Sequence, residues 1–208
     1  WGFSSKEFKK PSQERIDEVR AQVGWRKIAL SDEGEQRCMI QFSQPGVQID
    51  LGGIAKGYIC DRVSDLFIAA EVENFLVNIG GTIFAHGRSK RSRHWVAGIR
   101  DPRDRSRVIE HITLFNEAIA TSGDYERYFV EDNKRYAHII DPVTGYPVEG
   151  TVAVTVVAAT AIAADAASTI MFLTPPAERH DMLKPLQLKK AIIHEEESIG
   201  KMRRIDIG

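Results

Sequence analysis

Cysteine is scarce in this chain, which contains only Cys38 and Cys60. Two cysteines are too few for a disulfide framework, so the sequence excludes a disulfide-stapled fold and leaves the redox compartment open. Long apolar runs are also missing, and no stretch reaches the length of a transmembrane helix. The net charge of −1 gives no general attraction to polyanions, which argues against a nucleic-acid partner.

Basic residues are concentrated at one place, the run at 88–93. This run lies between two strand-like stretches, 83–85 and 95–99. We therefore predict a solvated hairpin loop there and not a nucleic-acid site.

The 208 residues, of which 43% are hydrophobic and 27% are charged, are enough to bury a core. Closely spaced strand-like segments favour an α+β fold, with mixed or antiparallel sheets and packed helices, over a doubly wound one. No domain boundary is visible in the sequence. We therefore predict a single domain over residues 1–208.

Local patterns predict both helices and strands. The predicted helices cover 13–23 between the N-cap Ser12 and Gly24, a segment from Ile54, a segment around Asp165, and 177–183. The predicted strands lie near 26–30, 37–42, 47–49, 152–158, 190–194 and 201–205, with several more between 74 and 140.

A polar span at 120–125 and 138–147 combines a histidine, two carboxylates, hydroxyls and turn residues. The segment 141–145 predicts a turn, because its proline fixes φ and its glycine supplies a positive φ. His138 is therefore expected at a strand end that faces a loop. Alternatively, Asp141 only caps its own turn, and the tyrosines of the span are packed aromatics.

A second segment, 47–63, places glycines between a strand that ends at Asp50 and a helix that begins near Ile54. The apolar positions predicted for this amphipathic helix are Ile54, Ile59, Val63, Leu66 and Phe67. Backbone N–H groups at such a helix start attract phosphate, and Lys56 adds a mobile positive charge. The spacing matches neither G-x-G-x-x-G nor a Walker A loop, so a tight turn with a solvated lysine is the alternative.

A third segment, 158–173, predicts a largely buried helix in which Asp165 is the one charged residue. The i, i+4 spacing puts the Asp165 carboxylate and the Thr169 hydroxyl on one helix face, where both oxygens could reach one hard cation. Alternatively, Asp165 accepts hydrogen bonds from another segment's backbone, and Thr169 bonds back to its own helix. Because alanines flank Asp165, the sequence predicts that Asp165→Ala leaves the fold intact.

Taken together, these segments resemble the ApbE family of FAD:protein FMN transferases. The motifs that carry the resemblance are Asp50-Leu51-Gly52-Gly53-Ile54-Ala55-Lys56-Gly57, Val77-Asn78-Ile79-Gly80-Gly81, Ser122-Gly123-Asp124-Tyr125 with His138-Ile139-Ile140-Asp141-Pro142-Val143-Thr144-Gly145, and Asp165-Ala166-Ala167-Ser168-Thr169. The resemblance implies an ApbE-like, T-fold-like architecture. It also implies an Mg²⁺-dependent enzyme that transfers FMN from FAD to a Ser or Thr hydroxyl of a target flavoprotein and releases AMP.

The resemblance also implies a role for each site residue. Asp165 and Thr169 would bind Mg²⁺ through their side chains, and Gly53 would bind it through its carbonyl. Asp50, Lys56 and the backbone near Ile139 would contact FAD. His138 would deprotonate the acceptor hydroxyl, since imidazole titrates near neutral pH. The alternative role for His138 is a hydrogen bond that locks the turn at Asp141.

Family members carry a segment upstream of the position of Trp1 that completes the flavin pocket. We therefore expect this chain to bind FAD more weakly than a version extended at its N-terminus. By resemblance, the protein belongs to the bacterial cell envelope, as a lipoprotein on the periplasmic side of the inner membrane, and a homodimer is possible. Two other functions stay open: an FAD pyrophosphatase that yields FMN and AMP, and a non-catalytic FAD-binding protein.

Overall fold

The computed structural model describes residues 1–3, 5, 7–34, 37–91, 93–198 and 201–208. They form two compact units, the first comprising Trp1–Asp50 and Arg127–Pro147, the second Leu51–Glu126 and Val148–Gly208. Strand pairings within these residues are antiparallel and helices accompany the sheets, which confirms the predicted α+β class. None of the helices in the described ranges is long and apolar enough to cross a membrane. The single domain over residues 1–208 stays a prediction.

Helices and strands alternate in groups along the chain. The helices are α1 (Gln13–Arg20), α2 (Ala55–Ala69), α3 (Ala161–Leu173) and α4 (Arg179–Met182). The strands are β1 (Ile28–Gly34), β2 (Arg37–Phe42), β3 (Phe75–Ile79), β4 (Thr82–His86), β5 (Trp95–Arg100), β6 (Val108–Leu114), β7 (Glu117–Gly123), β8 (Tyr128–Glu131), β9 (Lys134–Ala137), β10 (Thr151–Ala158), β11 (Lys190–Ser198) and β12 (Lys201–Ile207).

Most predicted elements are present, and Ser12 acts as the predicted N-cap of α1. The Ser12 hydroxyl accepts from the backbone of α1, and the Thr160 hydroxyl accepts from the backbone of α3. The predicted strand at 47–49 is wrong. Residues 47–50 are irregular and largely exposed, and they pair with no strand in the described part of the chain. Alternating apolar residues favour a strand, but a strand also needs a neighbouring strand to pair with, and this stretch has none among the described residues.

A six-stranded antiparallel sheet, in the order β12-β11-β10-β7-β4-β3, forms the centre of the second unit. All eight residues of β10 are buried, so this strand is covered on both faces. Helix α3 packs on one face against β4, β7 and β10. The β5–β6 hairpin covers the other face through an apolar cluster that includes Leu114, Ile119 and Val157.

Helix α2 buries a different face from the one predicted. Its buried residues are the small Gly57, Cys60 and Ser64, whereas Ile59 is 46% and Leu66 is 70% exposed. Small residues let two helix backbones approach closely, and α2 lies directly against α3. The close approach, and not the apolar periodicity, therefore selects the buried face.

The basic segment at 88–93 is not a hairpin loop. It follows β4, which belongs to the six-stranded sheet, and precedes β5, which pairs only with β6 among the described strands. The segment therefore connects two sheets, and Ser92 within it lies outside the described residues.

Aromatic rings stabilise the first unit around the β8–β9 hairpin. Phe129 and Tyr136 face each other across this hairpin with ring centroids 5.2 Å apart, and Trp1 lies 5.4 Å from Tyr136. The Trp1 indole N–H donates to the Gly145 carbonyl at 3.0 Å. Gly145 has a φ of +77°, and a Cβ there would lie 2.5 Å from Ile16, so the predicted turn requires glycine.

His194 of β11 is buried in the second unit, and its Nδ1 has no hydrogen-bond partner in the described part of the chain. Burial holds its pKa below the usual 6.5, and the positive charge of Arg204 acts in the same direction. The carboxylates of Glu110, Asp101 and Asp206 oppose this shift more weakly.

We expect His194 to make folding less favourable as the pH falls. Because its pKa is lower in the folded state, the unfolded chain takes up this proton first, so stability present above about pH 6.5 is lost on acidification. Urea unfolding of wild type and His194→Gln at a series of pH values tests this. The wild type should lose more stability than the variant between neutral and acidic pH, and parallel curves would contradict the expectation.

Candidate functional site

The carboxylate of Asp165 is buried, with a side-chain exposure of 4%. A buried carboxylate needs donors to compensate its lost hydration. Here the backbone N–H of Gly57 donates to Oδ2 at 2.9 Å, and the Thr82 hydroxyl donates to Oδ1 at 3.3 Å. The ammonium of Lys56 lies 2.8 Å from Oδ1 and balances the charge. Asp165 therefore joins α2, α3 and β4 at one point.

These contacts correct the expectation that Asp165→Ala leaves the fold intact. The helix itself would accept alanine, but the Gly57 N–H and the Thr82 hydroxyl would each lose a buried acceptor. Each donor left unpaired costs about 1–3 kcal/mol. Asp165→Asn is the better probe, because it keeps the shape and one acceptor oxygen.

A two-residue turn lies beside the side chain of Lys56. Gly80 and Gly81 join β3 to β4, both with positive φ, and the Gly81 N–H donates to the Asn78 side chain at 2.9 Å. A Cβ at Gly80 would lie 3.4 Å from the Lys56 side chain. Gly80 therefore lies against the Lys56 side chain, and the positive φ of both residues is the reason that glycine suits this turn.

The first turn of α2 touches the first turn of α3. A Cβ on Gly57 would lie 2.4 Å from the Ala161 carbonyl oxygen, so only glycine fits this contact. The Asp61 carboxylate accepts from the backbone N–H groups of Ala161 and Ile162 at 2.8 and 2.9 Å. Asp61 therefore caps α3 from the neighbouring helix and fixes the position of Asp165 relative to Lys56.

Thr169 lies one turn after Asp165 on α3 and is half-buried. Its hydroxyl oxygen is 3.1 Å from the Ser122 hydroxyl of β7, which is also 2.8 Å from the Ser168 hydroxyl. Ser168, and not Thr169, bonds back to the helix at the Asp165 carbonyl. A Cβ on Gly53 would lie 3.8 Å from Thr169 Oγ1, so Gly53 is its neighbour.

Three oxygen groups in the second unit form a donor set that fits a hard divalent cation. They are the Asp165 carboxylate, the Thr169 hydroxyl and the Gly53 backbone carbonyl. No group of three or more His, Cys, Asp or Glu side chains that could hold a metal occurs within the described ranges. A single carboxylate with neutral oxygens suits Mg²⁺, which keeps several waters and binds substrate phosphates instead of filling an all-protein cage.

His138 directly follows β9 in the first unit, at a strand end as predicted. Its backbone N–H donates to the Arg127 carbonyl at 3.0 Å, and its Nδ1 is 3.2 Å from the same oxygen. Because a carbonyl only accepts, the neutral ring carries its proton on Nδ1, which leaves a lone pair on Nε2. The Arg127 bond thus favours the neutral tautomer that is protonated on Nδ1.

The turn after His138 is held by its own residues. The Asp141 carboxylate accepts from the Val143 N–H at 2.7 Å, and the Gly145 N–H donates to the Asp141 carbonyl at 2.8 Å. The Tyr146 hydroxyl donates to Gln13 at 2.8 Å. Asp141 therefore caps its own turn, as its structural alternative predicted.

The predicted site residues are divided between the two units. Lys56, Gly53, Asp165 and Thr169 come together in the second unit, whereas Asp50, His138 and Ile139 belong to the first. Asp50 is exposed and Ile139 is buried. The roles assigned to all seven stay predictions.

The Ser122-Gly123-Asp124-Tyr125 motif is mainly structural beyond its serine. The Asp124 carboxylate receives a bidentate bond from Arg103 at 2.8 and 3.1 Å, which ties the β5–β6 loop to the end of β7. A Cβ on Gly123 would overlap the Tyr125 ring at 2.4 Å. Burial raises the pKa of Tyr125 to about 12, so its hydroxyl stays protonated. Tyr125 is a packed aromatic.

Sequence reasoning missed three residues around Asp165 and Thr169, namely Gly57, Thr82 and Ser122. Each lies within or beside a recognised motif: Gly57 follows Lys56, Thr82 follows Gly81, and Ser122 precedes Gly123. Their pairing with α3 depends on tertiary contacts across 47 to 108 residues of sequence.

Known proteins match most of this chain. The ApbE family model matches residues 1–193. FAD:protein FMN transferase from Haemophilus influenzae is 38% identical over 83% of this chain and 51% of its own length. The protein of the same name from Escherichia coli strain K12 is 31% identical over 88% of this chain and 53% of its own length. The chain therefore spans about half the length of the curated relatives it matches.

Solved structures share the fold. The crystal structure of the ApbE protein from Thermotoga maritima superposes with a TM-score of 0.82 at 38% identity, over 98% of this chain and 65% of that one. The flavin transferase ApbE from Vibrio cholerae gives a TM-score of 0.81 at 29% identity, over 98% and 63% of the two chains. With the family match extending over residues 1–193, the chain belongs to the ApbE family.

Proposed function

We propose that this protein transfers the FMN half of FAD to a Ser or Thr hydroxyl of an acceptor flavoprotein, with release of AMP. The relatives named FAD:protein FMN transferase support the activity. The observation that carries the proposal is the buried Asp165 carboxylate, which lies within 2.8 Å of the Lys56 ammonium and one helical turn from Thr169. Hard oxygens beside a fixed positive charge suit a pyrophosphate substrate.

The reaction is a phosphoryl transfer. The acceptor hydroxyl oxygen forms a bond to the phosphorus of the FMN half, and the bond from that phosphorus to the bridging oxygen breaks, so AMP leaves with that oxygen. Such a reaction needs charge neutralisation, alignment and removal of the hydroxyl proton. Lys56 supplies a positive charge for the phosphate oxygens, and His138 takes the hydroxyl proton at Nε2.

A divalent cation completes this proposal. Bound Mg²⁺ would neutralise charge on the pyrophosphate oxygens, held by the Asp165 carboxylate, the Thr169 hydroxyl and the Gly53 carbonyl. Asp50 and the backbone at Ile139 would contact FAD.

Transfer to a protein acceptor is tested directly. The chain is incubated with FAD, Mg²⁺ and a protein that carries candidate Ser or Thr sites, and the acceptor is then denatured and examined for covalent flavin fluorescence. We expect fluorescence on the acceptor and one AMP per flavin attached. Free FMN and AMP without labelled acceptor would instead show that water accepts the FMN group.

A further inference from the structure

Three hydroxyl groups connect α3 to β7 beside the proposed cation site. Ser122 Oγ lies 2.8 Å from Ser168 Oγ and 3.1 Å from Thr169 Oγ1, and Ser168 Oγ lies 2.8 Å from the Asp165 carbonyl oxygen. Each hydroxyl has one proton to donate and two lone pairs that can accept. In this series of hydrogen bonds, which group donates in one bond therefore depends on which group donates in the bond before it.

The Asp165 carbonyl fixes the donor and the acceptor in every hydrogen bond of this series. A carbonyl oxygen only accepts, so Ser168 donates its proton there. Ser168 then has no proton left and must accept from Ser122. Ser122 has thereby used its own proton, so at its contact with Thr169 it accepts, and Thr169 donates.

The consequence concerns the oxygen of Thr169. A hydroxyl that binds a cation must present a lone pair to it, and its proton must be directed elsewhere. The bond to Ser122 directs the Thr169 proton toward β7 and leaves both lone pairs of Thr169 Oγ1 unused by this network. Without Ser122, the Thr169 hydroxyl would donate to a backbone carbonyl of its own helix, as threonine side chains in helices often do.

We propose that Ser122 is a positioning residue for the cation site, because it takes the Thr169 proton and so presents the Thr169 lone pairs to a divalent cation. This rests on the proposed function, which supplies the cation. Outer residues that orient metal ligands typically contribute 10–100-fold to metal affinity. Ser122 would act only through Thr169.

Manganese binding tests this role without reference to activity. The 208-residue protein is titrated with Mn²⁺ alone, a hard cation that prefers the same oxygen ligands, and free Mn²⁺ is followed by electron paramagnetic resonance. We expect Ser122→Ala to raise the dissociation constant about tenfold. Thr169→Val should raise it at least as much, and the double variant should bind no more weakly than Thr169→Val alone.

A matched control is available on the same strand. The hydroxyls of Thr121 and Thr155 pair at 2.8 Å, and these residues point to the opposite face of the sheet from Ser122. Thr121→Val removes this comparable bond and should leave Mn²⁺ affinity unchanged.

Each other result has a definite meaning. Equal affinity of wild type and Ser122→Ala would overturn the positioning role, as would additive losses in the double variant, which indicate a general distortion. If Asp165→Asn bound Mn²⁺ as tightly as wild type, the cation site would be wrong, and the positioning role would fall with it. If the variants changed Mn²⁺ affinity as expected but the wild-type protein transferred no FMN, the proposed function would be refuted. The positioning role of Ser122 at a cation site would still be supported.

Discussion

Asp165→Asn is expected to reduce Mg²⁺-dependent FMN transfer by more than about 100-fold. The reason is that outer residues of metal sites already contribute 10–100-fold, and Asp165 is the single charged group in the proposed ligand set. The asparagine oxygen can still accept from the Gly57 N–H, but it has no charge for the cation or for Lys56. Initial rates of transfer over a range of Mg²⁺ concentrations measure the loss.

Asp65→Asn is the matched control for this change. Asp65 is a carboxylate on the same helix as Lys56, but its side chain is 55% exposed and pairs with Arg62 on the helix surface. The control should keep the Mg²⁺ dependence of wild type. Retention of wild-type rates and Mg²⁺ dependence by Asp165→Asn would remove Asp165 from the site.

Local sequence signals were enough to define α3. Thr160 is a strong N-cap, the interior consists of small and apolar residues, and Thr174 is followed by prolines that cannot continue the helix. All of these signals act within a few residues of the chain. For the same reason β2 and β10 were placed to within one residue of their ends.

The buried face of α2 was not predictable in this way. Apolar periodicity favoured Ile54, Ile59 and Leu66, but the helix turns Gly57 toward α3 because their backbones meet there. A contact between two backbones leaves no apolar signature, since it requires the absence of a side chain. Only the position of the partner helix reveals it.

The chemistry of the site was predictable in part. Motifs identified Asp165, Thr169 and Lys56, because a lone carboxylate in an apolar helix and a lysine after glycines are unusual. The partners of these residues come from other strands and helices. Thr82 and Ser122 are ordinary hydroxyl residues until the fold places them beside α3.

The geometry of His138 makes its proposed role testable separately from flavin binding. Its Nδ1 bond to the Arg127 carbonyl leaves Nε2 as the basic atom. A glutamine at this position can donate the same bond to the carbonyl, but its side chain does not accept a proton near neutral pH. His138→Gln therefore distinguishes a role of His138 as general base from a purely structural role.

We expect His138→Gln to lower the rate of FMN transfer by roughly two to four orders of magnitude, the usual contribution of a general base, while FAD affinity stays nearly unchanged. Single-turnover rates and calorimetric FAD titration measure the two quantities. The rate of wild type should show an ionisation that the variant lacks. His111→Gln, at an exposed position of β6, is the control and should behave as wild type. Parallel losses of FAD affinity and rate in His138→Gln would mean that His138 has a structural role and is not the base.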